Sequence, residues 1–234
     1  MKTFIYRTFT CFLILFILLQ CFFAAQLLWY IKFNPHMTSF MSLEQARLKQ
    51  QKPTITLKHT WLDYRQIPTS IKQAVITAED SGFMQHHGVD WKALENAAKE
   101  NIHKRKIMRG GSTISMQLSK NLFLSPKQSY LRKSEELIIT GMLELTLSKR
   151  RIFEIYLNVA EWGVGIFGIE AAANHYFGIH ASELSEYQAA WLATILPAPK
   201  RSDRFRVSRN RSERFGAGNM VASQAAWYSE SSEA

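Results

Sequence analysis

Three short clusters along the chain hold the acidic, amide and cationic side chains that acid-base and phosphate chemistry require. The first is the carboxylate pair Glu79 and Asp80, followed by Phe83 and His86. It comes directly after apolar residues at helical spacing, which places it at the end of a helix. A carboxylate in a partly apolar cleft has its pKa raised toward the range of a general base. Adjacent acids are also ordinary helix-end charges, so both interpretations stay open on residue type alone.

The second cluster follows a glycine pair and combines a hydroxyl, an amide and an ammonium group. A helix is predicted to open at Ser112, and it places these polar side chains along one stripe. They are Thr113, Gln117 and Lys120, with Asn121 beside them. The free amides of a helix start, together with a lysine, suit a phosphate group. An amphipathic helix with its polar face in water has the same pattern, so a phosphate site is one of two interpretations.

The third cluster places Arg132 and Glu136 four residues apart, on one face of a helix, next to Lys133. Such a pair commonly braces a surface helix and contributes roughly 0.2 to 0.5 kcal/mol. Only the occurrence of this pair together with the other two clusters favours a functional site here.

Two further motifs are interpreted as structural. The segment 163–168 has the letters of a dinucleotide-binding fingerprint, but it follows a helical pattern instead of a strand, so a tight turn between helices is predicted. His86 and His87 are adjacent and not at metal-ligand spacing, and no cysteine is available outside the apolar N-terminal run. No protein-bound metal site is predicted.

The charge balance narrows the class of partner. The net charge of +10 calls for a polyanion, which nucleic acid, an acidic membrane or a phosphorylated ligand would all provide. Lys2 and Arg7 precede an apolar run from about Phe9 to Ile31, which is long enough for a membrane span with the N-terminus in the cytoplasm. The alternative is a cleaved signal peptide, whose apolar region is normally shorter. A span favours the membrane and a phosphorylated ligand over nucleic acid.

The elements that must position these clusters are predicted to be mainly α-helical. Asp90 is a candidate helix cap, Ser185 with Gln188 forms a capping-box pattern, and Gly178 and Pro197 mark helix ends. The segment 54–57 is the only strand candidate. The predicted divisions are residues 1–32 for the cytoplasmic end and anchor, 33–60 for a connector, 61–200 for the catalytic domain and 201–234 for a basic, poorly ordered tail.

Taken in order, the clusters resemble the peptidoglycan glycosyltransferase family, glycosyltransferase family 51. The blocks that carry the resemblance are Glu79 to Phe83 with His86 and Gly88 to Asp90, Gly110 to Leu124, Arg132-Lys133 with Glu136, and Arg151 to Gly178. The stretch Asn158 to Gly163 is similar to the stand-alone branch of the family. The similarity covers about residues 61–200, and Met116 stands where the family usually has glutamine.

The resemblance implies a lysozyme-like large lobe with a small membrane-proximal lobe, behind one transmembrane helix. It implies an enzyme of the bacterial inner membrane, with its catalytic domain in the periplasm, that polymerises lipid II onto a growing lipid-linked glycan. No cofactor is required, Mg²⁺ or Mn²⁺ at the substrate pyrophosphate is compatible, and cell-division or wall-synthesis proteins are candidate partners. Nucleic acid is not expected.

The family's residue roles fall on the same clusters. Glu79 is the expected general base in an inverting transfer, and Glu136 the second catalytic glutamate, orienting donor groups or a cation. Lys120 and Arg132 are expected to offset charge on the departing pyrophosphate. The other expected substrate-binding residues are Asp80, Phe83 and His86 around Glu79, and Thr113, Gln117 and Asn121 at the donor site. The alternatives are a lytic glycosidase of the same fold, which has no pyrophosphate to neutralise, and a non-catalytic scaffold of the division machinery.

Overall fold

The computed structural model describes residues 1–104 and 111–201 of the chain. Its helices are α1 (Lys2–Tyr30), α2 (Ser39–Gln51), α3 (Thr69–Glu79), α4 (Trp91–Lys104), α5 (Ile114–Phe123), α6 (Tyr130–Thr146), α7 (Lys149–Val159), α8 (Ile169–Phe177) and α9 (Glu186–Ile195). A short 3₁₀ helix covers Ala181–Glu183, and the strands are β1 (Lys58–His59), β2 (Glu161–Gly163) and β3 (Ile166–Phe167). The mainly α fold is confirmed. The tail predicted over 201–234 lies outside the described residues, except for Arg201.

Helix α1 is the predicted membrane anchor. It is 29 residues long, and Thr3–Tyr30 is apolar enough throughout to cross a membrane. Its first two thirds are exposed, whereas Phe23 and Leu27 are buried against the rest of the protein. The first part of the anchor is therefore exposed, and its second part packs on the catalytic domain.

The segment 33–60 was predicted to be a connector, but it contributes to the core. Thr38 caps α2 by accepting a hydrogen bond from the Met41 amide at 3.2 Å. Met41 and Leu48 are buried at 1% and 4% exposure, and α2 packs on α5. The strand in this segment is β1 at Lys58–His59, not the predicted 54–57. The buried face of α2 includes Glu44 beside Met41 and Leu48, while Leu43 is exposed, so the periodicity does not indicate a core helix.

Strand β1, before α3, and strands β2 and β3, directly after α7, form a small sheet in the order β1-β3-β2. Strand β1 pairs parallel with β3, and β2 pairs antiparallel with β3. The glycine-rich segment 163–168 thus lies between two helices as predicted, but it closes a hairpin. Gly165 has φ +71°, so the turn needs glycine for its backbone, and a Cβ there would lie 2.8 Å from Leu48 Cδ1 of α2, whose side chain would have to shift.

Helix ends follow the predicted caps closely. The Asp90 carboxylate accepts from the Ala93 amide at 2.8 Å, and the Ser185–Gln188 capping box is formed. Gly178 ends α8 in the left-handed conformation. The helix predicted to open at Ser112 begins at Ile114 instead, because Thr113 has extended backbone and its side chain caps α5. Thr113 is therefore the cap of the helix and not part of it.

Helix α7 is at the centre of the core, with a run of buried residues from Ile152 to Val159. Asn158 on this helix is fully buried, and its amide holds the chain at Leu62 by accepting from the Leu62 amide at 2.8 Å and donating to its carbonyl at 2.9 Å. The start of the catalytic domain is thereby fixed to its central helix.

Glu161, the first residue of β2, has a largely buried carboxylate, with 12% of its side chain exposed, among mixed charges. Its Oε1 lies 3.4 Å from Lys200 Nζ, while that ammonium group lies closer, at 2.6 Å, to Glu44 Oε2. Burial raises the pKa of Glu161 to about 7, with Lys200 opposing and Glu44 adding to the rise. Glu161 is thus largely protonated in the folded protein at slightly acidic pH.

We expect Glu161→Gln to flatten the pH dependence of stability. The pKa of Glu161 in the folded protein lies above the ordinary 4.5. The contribution of Glu161 to the free energy of unfolding is therefore fully present below pH 4.5 and is lost as the pH rises through about 7. At about 1.4 kcal/mol per pH unit the loss amounts to about 3 kcal/mol. Chemical unfolding in mild detergent at pH 5 and pH 8 measures it, with the exposed Glu95→Gln as the control. Parallel pH profiles for the parent and Glu161→Gln would contradict the assignment.

Candidate active site

Glu79 is the last residue of α3, whose buried face includes Ile71 and Val75. Its Oε2 accepts a hydrogen bond from Gln117 Nε2 at 2.7 Å. Its Oε1 is buried and has no hydrogen-bond partner among the described residues. Burial raises the pKa of Glu79, and the Gln117 hydrogen bond and the Lys120 charge partly oppose that rise. One carboxylate oxygen is therefore held by the protein and the other is left to accept a proton.

Gln117 connects Glu79 to Tyr156 on α7. The Tyr156 hydroxyl donates to Gln117 Oε1 at 2.9 Å. Burial, and then the charges of Glu79 and Asp80, raise the pKa of Tyr156 well above 10, so the phenol stays protonated and donates. This fixes which end of the Gln117 amide faces Glu79. From the sequence, Tyr156 falls within the block Arg151 to Gly178 but is given no role. The signal that could have identified it is its hydroxyl within an otherwise apolar helix face, since a buried tyrosine hydroxyl needs a partner.

Asp80 and His86 hold the loop behind Glu79. Asp80 Oδ2 accepts from the Ile114 amide at 2.9 Å, at the start of α5. His86 Nδ1 accepts from the Gly88 amide at 3.2 Å, so its Nε2 carries the proton and donates to Asp80 at 2.9 to 3.0 Å. The two side chains thus tie the loop to α5.

Phe83 and Thr113 also lie behind the cleft. Phe83 is fully buried and packs against Phe153. Thr113 is buried; its hydroxyl donates to the Gly88 carbonyl at 2.5 Å and accepts from the Met116 amide. In this arrangement both residues position their neighbours and present no free polar group to a ligand.

Glu136 gathers two cations on α6. It is buried at 2% exposure, with Arg132 donating to its Oε2 and Lys133 Nζ lying 2.5 Å from its Oε1. Arg132 Nε is buried and has no hydrogen-bond partner in the part of the chain that the structure describes. The predicted i, i+4 pair is therefore formed, at a position where Glu136 is buried. The Nε donor of Arg132 takes no part in the pair.

Lys120 lies between Glu79 and this cation group. Burial lowers the pKa of Lys120, and the charges of Arg132 and Lys133 lower it further. The charges of Glu136 and Glu79 act against this and raise the pKa. The adjacent Asn121 is buried at 9% exposure. The structure thus brings the three predicted clusters together: a carboxylate with a free oxygen at one end, and three cations at the other.

We expect Gln117→Leu to shift the acidic limb of the pH-rate profile upward. The Gln117 hydrogen bond lowers the raised pKa of Glu79, so its loss raises that pKa further. A base works only when ionised, so the variant needs a higher pH for half-maximal kcat and loses most activity on the acid side. The control is the exposed Gln128→Leu. An acidic limb at the parental pH would contradict the prediction, because it would show that Gln117 does not influence the pKa of the base.

Comparison with known proteins identifies the family. The model of the family described as "Transglycosylase" matches residues 45–224, starting within α2 and continuing beyond the predicted 61–200. The chain is 54% identical over 187 residues to a biosynthetic peptidoglycan transglycosylase of Janthinobacterium sp. (strain Marseille), covering 80% of this chain and 81% of that protein. It is 50% identical over 194 residues to the protein of the same name in Herminiimonas arsenicoxydans, covering 83% and 84%. A third, in Azoarcus sp. (strain BH72), is 50% identical over 190 residues, covering 81% and 82%.

These matches cover most of the chain and include every cluster that forms the site. The chain therefore belongs to the transglycosylase family, whose members are glycosyltransferases with a lysozyme-like fold.

Proposed function

We propose that this peptidoglycan glycosyltransferase polymerises lipid II on the outer face of the bacterial inner membrane, with inversion at the anomeric carbon and release of polyprenyl pyrophosphate. The observation that carries the proposal is the combination of two groups: Glu79, whose buried Oε1 has no hydrogen-bond partner within residues 1–104 and 111–201, and the cations Lys120, Arg132 and Lys133. The first serves an attacking hydroxyl and the second a departing pyrophosphate.

In the proposed reaction, Glu79 removes the proton from the sugar hydroxyl of the acceptor as its oxygen attacks the anomeric carbon of the donor. A new glycosidic bond forms, and the bond from that carbon to the pyrophosphate oxygen breaks. The electron pair leaves with the pyrophosphate, whose growing charge Lys120 and Arg132 neutralise. Attack from the face opposite the leaving group inverts the configuration, following the logic of inverting glycosidases with a sugar in place of water.

Glu136 acts in this scheme by holding Arg132 and Lys133 in place. Both of its oxygens are engaged by these cations, so they are not free for a divalent ion. Among residues 1–104 and 111–201, no group of three or more metal-ligating side chains comes together. An Mg²⁺ or Mn²⁺ ion that takes part in the reaction would therefore bind through the oxygens of the substrate pyrophosphate and not through Glu136.

The membrane serves the reaction because both substrates carry lipid tails. We assign the N-terminus to the cytoplasm, since Lys2 and Arg7 flank the start of the apolar run. The catalytic domain then lies in the periplasm, and α1 keeps it at the surface where lipid II diffuses. This confinement raises the effective concentration of the substrates.

The experiment for this proposal is the configuration of the product. The full chain in liposomes is given labelled lipid II, and NMR determines the anomeric configuration of each new linkage and of the donor. Opposite configurations are expected, with one polyprenyl pyrophosphate released per linkage. Retained configuration would contradict a direct displacement with Glu79 as base.

A further inference from the structure

The ammonium group of Lys120 has an unusual surrounding for a partly buried cation. Among residues 1–104 and 111–201, no group accepts a hydrogen bond from its Nζ and no carboxylate forms an ion pair with it. Its Nζ lies instead 5.5 Å from the centroid of the Phe40 ring. This distance is within the range of about 6 Å in which the face of an aromatic ring attracts a cation. Phe40 is therefore the side chain that contacts the ammonium group.

Phe40 is the second residue of α2, and its neighbours hold it in place. The Thr38 hydroxyl accepts a hydrogen bond from the Met41 amide at 3.2 Å, which fixes the first turn of the helix. Thr38 and Met41 are both buried, whereas the Phe40 ring is half-buried against the core. Since α2 packs on α5, which carries Lys120, the fold itself brings the ring to the ammonium group.

The other surroundings of Lys120 together disfavour its charged form. Burial lowers its pKa the most. Glu136 on α6 raises the pKa, but Arg132 and Lys133, which both pair with Glu136, lower it. Glu79 on α3 also raises it, and the net direction is downward. A group that stabilises the ammonium form therefore has a function at this position.

Phe40 comes from a segment that precedes the family match. The transglycosylase model matches residues 45–224, which include Lys120 and begin after Phe40. The segment 33–60 was predicted to be a connector, and the burial of α2 already gives it a place in the core. The contact between Phe40 and Lys120 gives this segment a place at the candidate active site as well.

We propose that Phe40 is a positioning residue of the donor site, whose ring holds the ammonium group of Lys120 where it meets the departing pyrophosphate. The ring attracts the cation without accepting a hydrogen bond, so all three N–H donors stay available to phosphate oxygens. The proposal rests on the proposed function, in which Lys120 neutralises the pyrophosphate. If Phe40 only covered α5, the electron density of its ring would have no effect on the reaction.

The test replaces Phe40 in the full chain with phenylalanines that carry one, two or three ring fluorines. Fluorine withdraws electrons from the face of the ring while the ring's shape changes little, so each step weakens its attraction for a cation. In liposomes with lipid II, kcat is expected to fall with each fluorine, to about a tenth of the parental value for the trifluoro ring. The same series at Phe177 is the matched control. Its half-buried ring packs edge-on against Trp191, and within the described part of the chain no lysine or arginine lies over it.

Two further measurements connect the effect to Lys120. The basic limb of the pH-rate profile should move to lower pH along the fluorine series, because a weaker ring contact lowers the pKa of Lys120 and a neutral amine does not neutralise pyrophosphate. Phe40→Leu should lower kcat about tenfold in the parent and no further in a Lys120→Gln background. A constant kcat along the series, a constant basic limb or a further loss in the Lys120→Gln background would each overturn the proposal.

An NMR titration separates this proposal from the proposed function. Lysines labelled with ¹³C at Cε are titrated in detergent, and the Lys120 signal is assigned by its loss in Lys120→Arg. The pKa of Lys120 should be lower with the trifluoro ring at Phe40 than in the parent, and equal pKa values would overturn the proposal. A parent protein that shows this difference but makes no polymer would overturn the proposed function while supporting the contact of Phe40 with Lys120.

Discussion

Glu79→Gln is expected to abolish polymer formation while leaving the fold and the binding of lipid II intact. The substitution keeps the shape of the side chain, and the new carbonyl oxygen still accepts from Gln117, which bonds Glu79 at 2.7 Å. It removes the only group at this position that can take up the acceptor's proton. Loss of a general base costs about 10²- to 10⁴-fold in rate.

The measurement is the initial rate of polymer formation, with melting temperature and lipid II binding recorded on the same samples. Glu186→Gln is the control, because it makes the same change at an exposed position on the first turn of α9. A folded Glu79→Gln protein that keeps about a tenth or more of the parental rate would move the base to another residue.

The second large effect is expected from exchanging charges at Arg132 and Glu136. If this pair only braced α6, Arg132→Glu with Glu136→Arg would cost roughly 0.2 to 0.5 kcal/mol and little activity. If Arg132 faces the pyrophosphate, the exchange sets a carboxylate against an anion and turnover is lost. The Nε of Arg132 supports the second outcome, since it is a buried donor that no group among the described residues satisfies.

The charge exchange has a side effect: it places an arginine beside Lys133, which pairs with Glu136 in the parent protein. Two single variants at Arg132 avoid this repulsion. Arg132→Gln leaves that second ion pair in place and should lose about 10²-fold or more in kcat while melting like the parent. Arg132→Lys should fall between, since it keeps the charge but loses the planar, two-pronged geometry suited to phosphate oxygens. Near-parental polymer yield from the folded Arg132→Gln protein would remove Arg132 from the donor site.

The sequence predicts those features whose partners lie within one or two helical turns. The Asp90 cap, the Ser185 capping box and the Arg132–Glu136 pair are all formed, because both partners of each are at most four residues apart. Their residue types therefore carry the signal locally.

Contacts between distant segments could not be predicted in this way. Gln117 meets Tyr156 across 39 positions and Glu79 across 38, and no local pattern marks either contact. Helix α2 has only three buried residues, so its contribution to the core depends on the surface of α5 that it covers. Thr113 is expected from the sequence at the donor site, but its hydroxyl donates to the Gly88 carbonyl, which only the folded loop brings near.

The most direct test of the account is one assay with two substrates. The full chain in liposomes is incubated with labelled lipid II and, separately, with finished glycan strands, and products are separated by length. We expect lipid II to be converted to long strands with release of polyprenyl pyrophosphate, and finished strands to keep their length. Shortened strands without any polymer from lipid II would contradict the account, because they would make this fold a lytic glycosidase and leave its three clustered cations without a substrate charge to neutralise.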